Sequence, residues 1–121
     1  MLKNENKIKN DNFEEALKNA FNGILHTIKT QKNIKIQLVI AIIVIVFSIF
    51  YGLDRLGYLF LTFAIFFVIF AEIINTAIEA TVDLYTKEYN TQAKIAKDVA
   101  AGAVVIASIN AVIVALLLFI K

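Results

Sequence analysis

The sequence predicts an all-α integral membrane protein, with an amphipathic surface helix followed by three transmembrane helices in a bundle. Three observations carry that fold class. Hydrophobic residues make up 60% of the chain and charged ones 18%, whereas soluble domains are only about 45–50% apolar. Three long apolar runs, 34–51, 58–78 and 99–120, each approach the ~20 residues that carry a helix across the hydrocarbon core. In a chain of 121 residues, too little polar surface remains to bury all three runs in a soluble fold. That length allows one domain.

The elements follow in order. Residues 1–12 are polar, rich in Lys and Asn, and expected to be flexible; they lack the long apolar stretch and small-residue cleavage site of a signal peptide. From 13 to 30, Phe13, Ala16, Leu17, Ala20, Phe21, Ile24, Leu25 and Ile28 form one apolar stripe, with Glu14, Lys18, Asn22 and His26 opposite. This is the pattern of a helix lying in the membrane interface or packed on the ends of the spans. Asn12 with Glu15 makes a capped start. A polar elbow, 27–37, leads into the first span, 34–51, where Lys32 and Lys35 reach back to headgroups. The stretch Gly52-Leu-Asp-Arg-Leu-Gly57 is long enough only for a tight turn, flanked by the interfacial aromatics Tyr51 and Tyr58. The second helix is read over 58–86 and the third over 91–120, with Asn90 or Thr91 as its cap. In the third, Ala103, Ala107, Ala111 and Ala115 recur at every fourth position, a spacing that permits close helix packing in lipid.

Charge fixes the orientation and excludes several functions. Seven of the twelve basic residues lie before the first span or, as Lys35, at its start, and three more lie between the second and third apolar runs, which places the N-terminus and that link in the cytoplasm by the positive-inside rule. A net charge of +2 is too small for a nucleic-acid binder. The absence of cysteine excludes disulfides and thiolate metal sites, and one histidine, His26, cannot build a multi-histidine site.

The second helix carries the chemistry. Glu72-Ile-Ile-Asn-Thr-Ala-Ile-Glu-Ala-Thr-Val-Asp83 contains no Gly or Pro and continues the helix. At about 100° per residue, Glu72, Asn75, Glu79 and Asp83 fall within roughly 80° of one another. A helix entering hydrocarbon near Tyr58 leaves it about 20 residues later, near Ala77. Glu72 then lies inside the boundary, Glu79 at it, and Asp83 in water. Acids at graded depth let one face meet a lipid head group and a soluble cofactor together, and ionisable groups within a span point to function. The other reading is a set of inter-helix ion pairs with Lys94, Lys97 and Asp98 that fixes the bundle.

Glu72-Ile-Ile-Asn-Thr-Ala-Ile-Glu79-Ala-Thr-Val-Asp83, with Glu88-Tyr89 and Ala96-Lys97-Asp98-Val-Ala-Ala-Gly102 beyond it, closely resembles the prokaryotic diacylglycerol kinase family, which includes the undecaprenol kinases of Gram-positive bacteria. The resemblance covers nearly the whole chain. It implies a homotrimer in the cell membrane that transfers the γ-phosphoryl group of ATP, with Mg²⁺, to a lipid alcohol such as undecaprenol or diacylglycerol. It also implies roles: Glu72 as general base and Asn75 orienting the reacting groups; Glu79 on the metal; Lys97 on the phosphates, held by Asp98 unless Asp98 assists the metal; and Glu88, Tyr89 and Asn90 on the nucleotide. Four scattered glycines make neither a Gly-rich phosphate loop nor a Walker motif, so this chemistry rests on positioning and electrostatics. Two positions depart from the family pattern. Gln31 stands where the family carries a glutamate that shares the metal, and Gln37 where it tends to carry His or Glu. The competing functional classes are a small proton-linked transporter using Glu72 and a structural membrane oligomer.

Overall fold

The computed structural model describes residues 8–120, and among them every regular element is helical: α1 (Phe13–Thr30), α2 (Lys32–Tyr51), α3 (Arg55–Tyr85) and α4 (Thr91–Phe119). Of the stretch expected to be flexible, residues 1–7 lie outside the described part. Asn10 folds onto α1, its side chain accepting a hydrogen bond from the Asn19 amide.

Local chemistry sets the helix ends. Asn12 accepts from the Glu15 backbone N–H at 2.8 Å, while Glu15 reaches back to the Asp11 N–H at 3.3 Å. Both satisfy donors that the first turn leaves unpaired. Gln31 adopts an extended backbone (φ −102°, ψ 119°) that breaks the helix for one residue and sends the chain into α2. Asn90 caps α4 by accepting from the Ala93 N–H at 3.0 Å. Between α2 and α3, Gly52 supplies the left-handed turn at φ 84°, a conformation that costs glycine nothing. Asp54 then caps α3 by accepting from the Gly57 N–H at 2.8 Å. Gly57 leaves room for that cap, since a Cβ there would lie 3.1 Å from the Asp54 carboxylate and press on it.

The long helices outrun their apolar cores. α3 begins at Arg55, three residues before the run at Tyr58, and ends at Tyr85; its polar ends remain helical beyond the hydrocarbon. Three of the helices are long and apolar enough to cross a membrane. Large side chains on their outer faces, such as Ile42, Phe63 and Leu117, are exposed from the protein, as lipid-facing positions must be. α1 packs on α2 and α3 through its C-terminal end, where Thr27 is buried. Phe13, Leu17, Phe21 and Leu25 remain exposed, leaving the apolar stripe free to rest on lipid.

The most extensive packing joins α3 and α4. Small side chains make it possible: Ala64 and Ala71 from α3, and Ala100 and Ala107 from α4, are buried with Val68. Within one chain, only part of the expected alanine stripe faces α3. Ala107 is fully buried and Ala111 packs beside it, but Ala103 is exposed. A four-residue spacing drifts by about 40° per step, so the series fans off the seam and Ala100 takes the place Ala103 cannot reach.

Two substitutions test this seam by thermal unfolding in detergent. Ala107→Leu forces a larger side chain between α3 and α4 and is expected to cost about 1–3 kcal/mol. Ala103→Leu, on an exposed face, should stay within about 0.5 kcal/mol of the parent. Equal losses would mean that the seam lies elsewhere.

Candidate functional site

The acids of α3 occupy different environments along one helix face. Glu72 is only 2% exposed. Its Oε1 accepts a hydrogen bond from Gln37 Nε2 of α2 at 3.0 Å, and its backbone carbonyl accepts from the Thr76 hydroxyl. One turn further, Asn75 Nδ2 donates to Glu79 Oε1 at 2.8 Å, with both residues half-buried. Asp83, another turn towards the end, pairs with Lys97 of α4 at 2.8 Å. The face thus passes from a carboxylate closed to water to one shared with a cation in a partly exposed pair. A pair with side chains 40% and 42% exposed contributes little to stability. It holds the ammonium in place, with two of its three N–H donors left for another anion.

Gln37 and Lys97 have partners that the sequence alone did not assign to them. Gln37 lies thirty-five positions from Glu72, and its role is visible in the sequence only as a polar residue within the start of an apolar run. For Lys97, the expected holder was Asp98. Neighbours in a helix point about 100° apart, so Asp98 instead pairs with Lys94 at 2.8 Å, one turn back, and Lys97 turns to α3. The same face therefore contains one ion pair between helices, Asp83–Lys97, and a buried carboxylate that such pairing does not explain.

The remaining candidates lie around the same end of the bundle. Gln31 sits half-buried at the α1–α2 junction, with its N–H on the Thr27 carbonyl. Glu88 and Tyr89 are exposed in the link between α3 and α4; the Glu88 N–H is held by the Thr86 hydroxyl at 3.1 Å. Asn90 uses its side-chain oxygen in the α4 cap.

Among the described residues, two buried side-chain oxygens accept no hydrogen bond, Gln37 Oε1 and Asn75 Oδ1. Both belong to amides whose nitrogen is committed to a carboxylate, so the carbonyl of each is turned away from it. Among the described residues, no three acids or histidines gather as a ready cation cage. At Glu79 the structure offers one carboxylate, to which Asn75 turns its nitrogen. Mg²⁺ keeps several waters and takes one or two carboxylates together with substrate phosphates. The donor set fits an ion delivered on a phosphate ligand.

Relatives add an independent line. A profile described as prokaryotic diacylglycerol kinase matches residues 18–119. The chain is 34% identical over 107 residues to the undecaprenol kinase of Bacillus subtilis (strain 168), covering 88% of this chain and 87% of that protein. It is 38% identical over 96 residues to the diacylglycerol kinase of Synechocystis sp., covering 78% of this chain and 55% of that one. Among the three functional classes, these relatives favour the kinase over the transporter and the structural oligomer. With four helices, three of membrane length, and a buried glutamate on the second of those three, the chain belongs to the prokaryotic diacylglycerol kinase family of membrane lipid kinases.

Proposed function

We propose that the chain transfers the γ-phosphoryl group of ATP to the hydroxyl of undecaprenol or of diacylglycerol. It does so with Mg²⁺, as a homotrimer in the cell membrane, with its N-terminus and reaction site on the cytoplasmic side. The observation that carries this reading is Glu72: a carboxylate 2% exposed within a membrane-length helix, on the same face as acids that approach water. Two relatives named for lipid alcohols support the acceptor class, and the lysine bias supports the orientation.

The chemistry divides along α3. Glu72 Oε1 is held by Gln37, leaving Oε2 to take the acceptor's proton. As it does so, the lipid oxygen bonds to the γ-phosphorus and the bond to the bridging oxygen of ADP breaks. The proton ends on Glu72 and ADP departs. Burial of Glu72 keeps water from competing for the phosphoryl group. Asn75, whose nitrogen donates to Glu79, would orient the reacting groups between the two acids. Glu79, with the amide oxygen of Gln31, would hold the metal, which when bound spreads the phosphate charge. Lys97, steadied by Asp83, meets the phosphates. Asp98 holds Lys94 beside it, and Glu88, Tyr89 and Asn90 form the edge that touches the nucleotide.

Binding and chemistry separate in two variants. Glu72→Gln keeps the shape and removes the base, and should lower kcat by about 10²–10⁴-fold with MgATP affinity near that of the parent. Glu79→Gln should weaken MgATP binding as well. Calorimetric titration beside turnover in one lipid mixture distinguishes them. Loss of nucleotide binding in Glu72→Gln, with turnover intact at saturating ATP, would reverse the assignment. The Gln31 departure has its own test: Gln31→Glu adds a charged ligand and should lower the Mg²⁺ concentration for half-maximal activity. An unchanged Mg²⁺ dependence would exclude Gln31 from the metal.

Assembly follows from size, since one chain offers a single acidic face and cannot enclose a nucleotide alone. Native mass spectrometry from a mild detergent should show trimers. A monomer that retains full phosphoryl transfer would refute the assembly.

A further inference from the structure

The apolar run of α4, 99–120, carries an amide at its midpoint, Asn110. Asn110 is partly exposed, and among the described residues its side chain meets no hydrogen-bond partner. Val99, Ile106, Ile113 and Leu117 of the same helix are exposed. At about 100° per residue, these five positions fall within roughly 60° of one another. They point about 100° away from Ala100 and Ala107, which are buried against α3. They also point away from Ser108 and Ala115, which line the groove shared with α2 and α3. α4 thus has a face that no described part of its own chain covers.

An outward face of isoleucine and leucine alone needs only lipid. An amide at the midplane finds neither water nor hydrogen-bonding groups in hydrocarbon, so whatever covers Asn110 has to bring a polar group to that depth. A second copy of the chain does so. Copies inserted in one membrane share one orientation, so the Ser108 and Asn110 side chains of each stand at the depth of Asn110 in the next. A primary amide both donates and accepts and is its own complement. The spacing points the same way. Val99, Ile106 and Ile113 recur at seven residues, as do Asn110 and Leu117. A seven-residue repeat keeps one stripe against a neighbour when helices cross at the small left-handed angle common in membrane bundles, whereas lipid imposes no period.

Resting on the homotrimer reading, we propose that this face of α4 seats a second copy of the chain, with the Asn110 amide hydrogen-bonded across the interface. The two sides of α4 then divide the packing between them. Small alanines hold the helix in its own chain, and larger side chains around one amide hold it to the next. A single polar group in an apolar seam fixes register. Lys97 lies on the same continuous helix, so the register set at the midplane also fixes the height of its ammonium against the neighbouring chain.

The test uses the purified full chain alone in liposomes, so that no other protein can occupy the face. The chain has no native cysteine, and a benzophenone attached at Ile106→Cys should, on irradiation, join to a second chain. Attached at Val105→Cys, exposed on another side of α4, it should join chiefly to lipid. In native mass spectrometry from a mild detergent, Asn110→Leu should raise the ratio of monomer to trimer by about 3–10-fold, the loss of one interhelical hydrogen bond. Asn110→Gln, which keeps the amide, should stay nearer the parent. Leucine suits hydrocarbon and Asn110 has no hydrogen bond to lose within its chain, so the variant should keep the parent's circular dichroism. Lipid adducts at Ile106→Cys, from a trimer that still labels a lipid alcohol from ATP, would overturn this face and leave the homotrimer and the kinase standing. Equal capture of a second chain from both positions would overturn it too. A trimer undiminished in Asn110→Leu would overturn the role of Asn110, and a monomeric parent would remove the homotrimer and this face together.

Discussion

A carboxylate removed from water inside a membrane-length helix constrains everything around it. The penalty for an unpaired buried ion is several kcal/mol even after relaxation, so Glu72 requires a donor that an apolar neighbourhood does not supply. Gln37 supplies one from α2, and that single hydrogen bond fixes the register of α2 against α3 at the depth of the site. It also commits one Glu72 oxygen and one Gln37 nitrogen, so each side chain has a defined free end. A carboxylate oxygen free of Gln37 and an amide oxygen turned away from Glu72 both follow from that one bond.

The rest of the fold delivers that group to the correct depth. α3 is long enough to start outside one face of the hydrocarbon, cross it, and continue as helix past the other, so Glu72, Glu79 and Asp83 are placed by rise alone. Small residues on α3 and α4 let the two helices approach closely. Close approach in turn brings Lys97 within 2.8 Å of Asp83. The ion pair and the alanine seam are thus one feature read at two levels. α1 lies against α2 and α3 at the same end of the bundle, and its break at Gln31 puts a polar side chain beside the elbow where α2 begins.

Much of this was legible in the sequence because periodicity and depth are linear properties of a chain. Apolar runs show the spans, the spacing of Glu72, Asn75, Glu79 and Asp83 shows the face, and Asn12 and Asn90 announce helix starts by chemistry acting over three residues. Contacts between distant segments were less legible. The Gln37–Glu72 bond joins positions thirty-five apart, and nothing local to either marks the other. The resemblance gave Asp98 as the holder of Lys97 or a helper of the metal, yet side chains adjacent in a helix diverge, and Asp98 pairs with Lys94. Within one chain the alanine series meets α3 only in part, because a fourfold spacing is nearly, but not wholly, the period of the helix. Asp54 escaped notice as a cap because the turn around it is short and its acceptor serves Gly57, a residue with no side chain to mark it.

In the proposed reaction, Glu72 activates a lipid hydroxyl in a place closed to water. The most direct measurement is the fate of label from γ-labelled ATP in bilayers that contain a lipid alcohol. The account predicts label in the lipid fraction, with little released as inorganic phosphate even when the acceptor is scarce. Label emerging chiefly as inorganic phosphate, or no transfer to any lipid alcohol by the folded protein, would contradict it.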